Sequence, residues 1–169
     1  MGQIEQRGVL AGKYIAELRD ADGVLKEAFE VDNIVVDEGL NNVLNAALRN
    51  SGAQTAWYLG LYAGAYTPVA TEIAATVAAS AHEFVGYTGG ARPQWRPAAA
   101  AAKAVTSAAQ PAVFTFNANA SINGAFLISS SQLSGTSGVL MSIAAFGSAK
   151  AVTAGDQLTL TYVMSAASS

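Results

Sequence analysis

From Val113 to Met164 the chain repeats one local pattern, short apolar–polar alternations separated by Gly, Ser, Thr and Asn. Val113-Phe114-Thr115-Phe116 places two phenylalanines on one side. Ser121 to Ile128 and Val139 to Phe146 follow small polar turns. In Gln157 to Met164 the residues Leu158, Leu160, Tyr162 and Met164 share a face. A period of two turns successive side chains to opposite faces of a strand. Several such strands at short, regular spacing predict a sandwich or jelly roll. No repeat of 20–50 residues runs through the sequence, which argues against a solenoid or propeller. A length of 169 residues fits one domain, or a domain with an arm. The division predicted is an arm over 1–12 and a single β-sandwich domain over 13–169.

The first third reads differently. Two strand-like runs, Lys13 to Arg19 and Val24 to Val31, flank Asp20-Ala21-Asp22-Gly23, a hairpin signature. Asp20, Asp22 and Gly23 do not continue into a calcium-loop spacing, so they are read as turn chemistry. Leu40, Val43, Leu44, Ala47 and Leu48 then fall at i, i+3, i+4, i+7 and i+8, which predicts a helix over about 38–49. Asp37 is placed to cap it, Glu38 and Arg49 suit the two ends of its dipole, and Ser51-Gly52 stops it. Trp57 to Tyr62 reads as a strand, with Trp57, Leu59 and Leu61 on one face and Tyr58, Gly60 and Tyr62 on the other. Thr67 to Ser80 gives mixed signals, a short helix capped by Thr71-Glu72 or an ordered loop. Glu83 to Tyr87 reads as a short strand. Ala98 to Ala104 has helix propensity, yet Pro97 before it and β segments after it favour a loop. The fold class expected is mainly β, an antiparallel sandwich, jelly-roll-like, with an N-terminal hairpin and one short helix.

Composition narrows the chemistry. There is no cysteine and a single histidine, His82, so disulfides, thiolate chemistry and multi-histidine metal sites have no raw material. Only 12% of residues are charged, and the net charge is −3. Those charges are uneven. Residues 1–52 hold 5 basic and 9 acidic side chains, whereas residues 53–169 hold only 4 basic and 3 acidic ones. So thin a cover describes either a neutral Ser/Thr/Ala surface or a surface hidden by other subunits, since interface centres are depleted in charge. The acidic segment 1–52 either meets a basic surface or keeps a solvent-facing end soluble.

Few side chains could form a catalytic constellation. His82 beside Ser80 and Glu83 is a loop residue, not a relay, and Glu72 with Glu83 makes a poor glycosidase pair. Gly89-Gly90 lacks the Lys-Ser/Thr of a phosphate loop. Arg92, Trp95 and Arg96 form a small basic–aromatic group with no second basic element, so a structural or interface role is favoured over nucleic acid. Trp57, Tyr58 and Tyr62 read as core and subunit contacts, with sugar stacking as the alternative. The candidate interface is therefore Trp57, Tyr58, Tyr62, Arg92, Trp95 and Arg96. No catalytic, cofactor-binding or metal residues are expected, and the chain is read as non-enzymatic. The opening residues Met1 to Arg7 lack a signal-peptide core, and no apolar run reaches membrane-spanning length, Ala98 to Ala109 included.

Taken in order, a set of segments resembles small virion structural proteins of tailed bacteriophages, those often encoded beside the major capsid protein. The segments are Asn33 to Asn41, Thr55 to Tyr62, Glu83 to Tyr87, Arg92-Pro93-Gln94-Trp95, Ile122 to Leu127, Gly135 to Leu140 and Ala154 to Leu158. Together they span about residues 13–165. The resemblance implies a head decoration (cement) protein on the outer surface of the capsid, made in the bacterial cytoplasm and lacking a cofactor. Its implied partners are the major capsid protein and further copies of itself, a trimer being favoured, with neither nucleic acid nor membrane. Such proteins also carry the label of tail-fibre protein, so a receptor-binding domain contacting host carbohydrate is the alternative it implies.

Overall fold

The protein, seen in a computed structural model, is described over residues 8–168. Its first sheet is antiparallel and holds β1 (Gly8–Arg19), β2 (Leu25–Asp32), β7 (Ala104–Thr106), β8 (Ala112–Thr115) and β11 (Gln157–Ser168). Strand order is β2-β1-β11-β7, with β8 also on β11. The second sheet holds β3 (Ile34–Val35), β4 (Trp57–Tyr62), β5 (Glu83–Phe84), β6 (Gln94–Trp95), β9 (Ala120–Ile128) and β10 (Leu140–Val152). Here the order is β3-β10-β9-β4-β5, with β6 also on β4. The two sheets close on a core that includes Tyr14, Leu18, Leu59, Leu61, Phe114, Phe116, Leu127, Leu158, Leu160 and Tyr162. The protein is a β-sandwich, as the alternation predicts.

The hairpin at Asp20–Gly23 forms as expected. Asp20 Oδ1 accepts the N–H groups of Asp22 and Val24 at 3.0 and 2.8 Å, while Gly23 takes φ +83°, a region open to glycine. Of the expected arm, residues 1–7 lie outside the described residues, and 8–12 are the first five residues of β1. They pair with Met164 to Ser168 at the end of β11.

The helix α1 runs Asp37–Arg49. Its caps correct the expectation. Val36 is the N-cap and Asp37 the first helical residue, with no side-chain capping bond; Asn50, left-handed at φ 50°, ends the helix before Ser51. Glu38 acts on other elements: its Oε2 accepts the N–H of Leu140, the first residue of β10, at 2.7 Å and that of Ala74 at 2.8 Å. Gly39 lets the helix touch β10, since a Cβ there would stand 2.6 Å from the Met141 carbonyl oxygen.

A second helix, α2 (Ala74–Ser80), resolves the mixed signals of 67–80 and corrects the count of one. It covers the outer face of the second sheet. Ala74, Val77 and Ala81 pack with Val36, Tyr62, Phe126, Ile128, Leu140 and Ile143 in a second apolar cluster. This explains why Leu59, Gly60, Leu61 and Tyr62 are all buried. The alternation in β4 separates two cores and does not separate core from water. Ala98–Ala102 is exposed chain with no helix, as the flanking proline and β segments indicate.

Candidate interaction surface

Three of the six candidate interface residues belong to the protomer's own interior. Tyr62 is fully buried between the second sheet and α2. Trp95 is buried, its Nε1–H donating to the Tyr162 carbonyl at 3.2 Å and its ring 5.5 Å from that of Tyr162. Arg92 is the clearest correction. Its guanidinium grips Glu83 through Nε–H···Oε1 at 2.7 Å and a second N–H···Oε2 at 2.8 Å, and it donates to the Ser130 carbonyl at 2.9 Å. The Phe126 ring lies 5.3 Å from its Cζ. Neither side chain of the pair is exposed at all. Glu83 Oε2 further accepts the Ser134 N–H at 2.7 Å, so the pair ties two long loops to β5. A charge without exposed surface offers nothing to a partner. Arg96 is exposed, and Trp57 and Tyr58 are half-buried.

Part of the acidic first third is paired within the chain among the described residues. Glu30 pairs with Lys13 and Glu17 with Arg19, while Glu27 meets the buried Lys150 at 2.5 Å, where that ammonium also sits 4.4 Å from the centre of the Phe29 ring. Asp156, 1% exposed, accepts Lys26 Nζ at 2.7 Å and the Thr153 N–H at 2.9 Å. Burial opposes its ionisation, but these donors outweigh that and hold the carboxyl below its ordinary value. A carboxyl depressed on folding stabilises the native state above its unfolded pKa of about 4 and loses that contribution as pH falls through the folded value. Asp156→Asn should therefore be less stable than wild type near neutrality, the difference shrinking below about pH 4. Urea titrations at stepped pH measure it; a difference that grows toward acid would contradict the assignment.

The outward-facing chemistry lies elsewhere, on α1. Its expected apolar face is only partly used. Leu40 and Val43 are half-buried, whereas Leu44 is 55% and Leu48 79% exposed, one helical turn apart on the solvent side. Beside them runs an open cleft of about 410 Å³ lined by Val43, Ala46, Ala47, Ala53, Trp57 and Met141, with Asn42 and Gln54 at its rim. No charged side chain lines it. Sequence periodicity found these residues but read them as a face of the helix to be packed. Glu38 and Gly39 tilt the outcome, because they hold the first turn of α1 against β10 while Leu44 and Leu48 stay exposed.

Among the described residues no three His, Asp or Glu side chains gather where a metal ion could be held. No helix among them is long and apolar enough to cross a membrane. No protein-family model matches the chain, and no curated protein sequence is similar to it.

Proposed function

We propose that this chain is a non-enzymatic structural protein of a tailed-bacteriophage virion, a decoration protein that binds the assembled head from outside and stabilises it. The observation that carries the reading is the exposed Leu44–Leu48 step beside a charge-free apolar cleft. Large apolar groups held on a rigid helix and left in water mark a contact surface. The buried charges support it too, since Arg92, Glu83, Lys150 and Asp156 are all spent on holding loops and strands. A shell is a repeating surface, so modest contacts multiplied over many copies suffice for tight cover. The major capsid protein is the partner proposed for α1.

The double variant Leu44→Lys/Leu48→Lys tests this. Both side chains are exposed, so each substitution should change stability by under about 0.5 kcal/mol. Occupancy on purified heads should nevertheless fall at least about tenfold, because each buried leucine lost from an apolar contact removes about 1.5–3 kcal/mol. Heads without the protein should release DNA at a lower temperature. Trp57 in the same cleft is an aromatic on which a sugar could stack. Normal occupancy by the variant, together with loss of host adsorption, would therefore assign the protein to a fibre and overturn the decoration reading.

A further inference from the structure

The second sheet is interrupted between β9 and β10. Ala145 pairs with Gly124 and Lys150 with Ile122, so Phe146 to Ala149 of β10 stand against the single Asn123. A bulge of this kind ends pairing locally and re-aims side chains, often at a functional place. Gly147 turns left-handed there at φ +71°, and nothing lies within 4 Å of where its Cβ would be. With Ala65-Tyr66-Thr67, the chain that follows β4, the bulge borders an open cleft of about 290 Å³. Asn123 and Ser148 also line it, and no lining residue is charged.

Three of the lining side chains are fixed by residues outside the cleft. Tyr66 donates its hydroxyl to Glu72 Oε2, and Glu72, 7% exposed, also accepts the Thr76 hydroxyl at 2.5 Å. A nearly buried carboxylate thus holds one aromatic ring at the cleft wall, and the buried Tyr62 ring meets that ring edge-on at 6.2 Å. Asn123 donates from Nδ2 to the Ala63 carbonyl at 2.7 Å, which fixes its amide and leaves Oδ1 to accept. Ser148 Oγ accepts Lys150 Nζ at 3.1 Å, and Lys150 is itself held by Glu27, so the Ser148 hydroxyl keeps its own proton to donate. A pinned ring, an acceptor and a donor therefore share one uncharged cleft.

We propose that this cleft binds one ring of a neutral sugar. A sugar hydroxyl donates and accepts at once, which suits Asn123 Oδ1 and the Ser148 O–H together. The C–H face of the sugar ring lies against Tyr66, an aromatic with an apolar body. A charged ligand meets no counter-charge here, and a purely apolar one strips water from Asn123 and Ser148 without replacing it. Ligand sites start at about 300 Å³, so the cleft has room for one ring and not for a chain of them. A single ring with so few contacts binds weakly, and copies displayed together multiply such contacts. The site shares no lining residue with the cleft beside α1. It goes beyond the decoration reading and stands or falls apart from it.

The experiment titrates the full chain, followed by its amide chemical shifts, with the methyl glycosides of glucose, galactose, mannose and N-acetylglucosamine. Glycerol serves as the control polyol. At least one sugar should give saturable shifts centred on Tyr66, Asn123 and Gly147 to Ala149, and glycerol should give none that saturate. Ala149 is exposed, so Ala149→Trp should keep the melting temperature while filling the cleft. Such a built-in clash should weaken binding at least about tenfold. Ser148→Ala removes the donor alone and should weaken binding several-fold, which decides the matter if the tryptophan variant fails to fold. Leu44→Lys/Leu48→Lys should bind the sugar as wild type does. Three outcomes would overturn the proposal: no saturable shift with any of the four sugars, shifts centred on Trp57 instead, or wild-type binding by the folded Ala149 and Ser148 variants.

Discussion

Arg92→Ala should unfold far more readily than wild type, by about 3–5 kcal/mol, the cost of removing one member of a buried ion pair. The reason lies in what is left behind. Glu83 has no exposed surface, and without the guanidinium its carboxylate keeps only the Ser134 N–H. The Ser130 carbonyl and the Phe126 ring lose their partner in the same step. Arg92→Lys should recover only part of the loss, because an ammonium cannot hold two carboxylate oxygens in a planar fork. Denaturant melts of both variants measure it, and a loss under about 1 kcal/mol for the alanine variant, the range of an exposed pair, would show that the site is not dry.

Phe116→Ala should cost about 3–5 kcal/mol and Leu160→Ala about 2–5 kcal/mol, as large-to-small changes in closed cores do. Phe116 is 1% exposed and packs its ring, tilted, 5.9 Å from that of Phe84, while Leu160 is fully buried. Ala100→Ser, on exposed chain, should move stability by under about 0.5 kcal/mol. Thermal melts of the three rank them, and a large effect at Ala100 with small effects at Phe116 would reverse the assignment of core and loop.

These two results separate what local pattern conveys from what it cannot. Phe114, Phe116, Leu158 and Leu160 were legible because each alternates with a polar neighbour on a strand with one wet face. Tyr58 to Tyr62 was read half correctly. The alternation is there, but α2 dries the second face, and a seven-residue helix of Ala, Thr, Val and Ser has little periodic signal of its own. Arg92 misled for a different reason. An arginine in a Gly/Pro loop is ordinarily at the surface. One signal points the other way: Arg92 and Glu83 are among only seven charges in residues 53–169, and they lie nine positions apart. In so neutral a stretch, a lone acid close to two bases has reason to pair with one of them. The α1 leucines show the converse. Periodicity located them, but whether a face is packed or presented depends on the clamp at Glu38 and Gly39, which is tertiary.

The central claim, that this protein decorates a phage head, is tested most directly by separating heads from tails of the same virion and quantifying the chain in each by mass spectrometry. Decoration predicts many copies on purified heads, in fixed ratio to the major capsid protein, and none on tails. The chain on tails and missing from heads would contradict it.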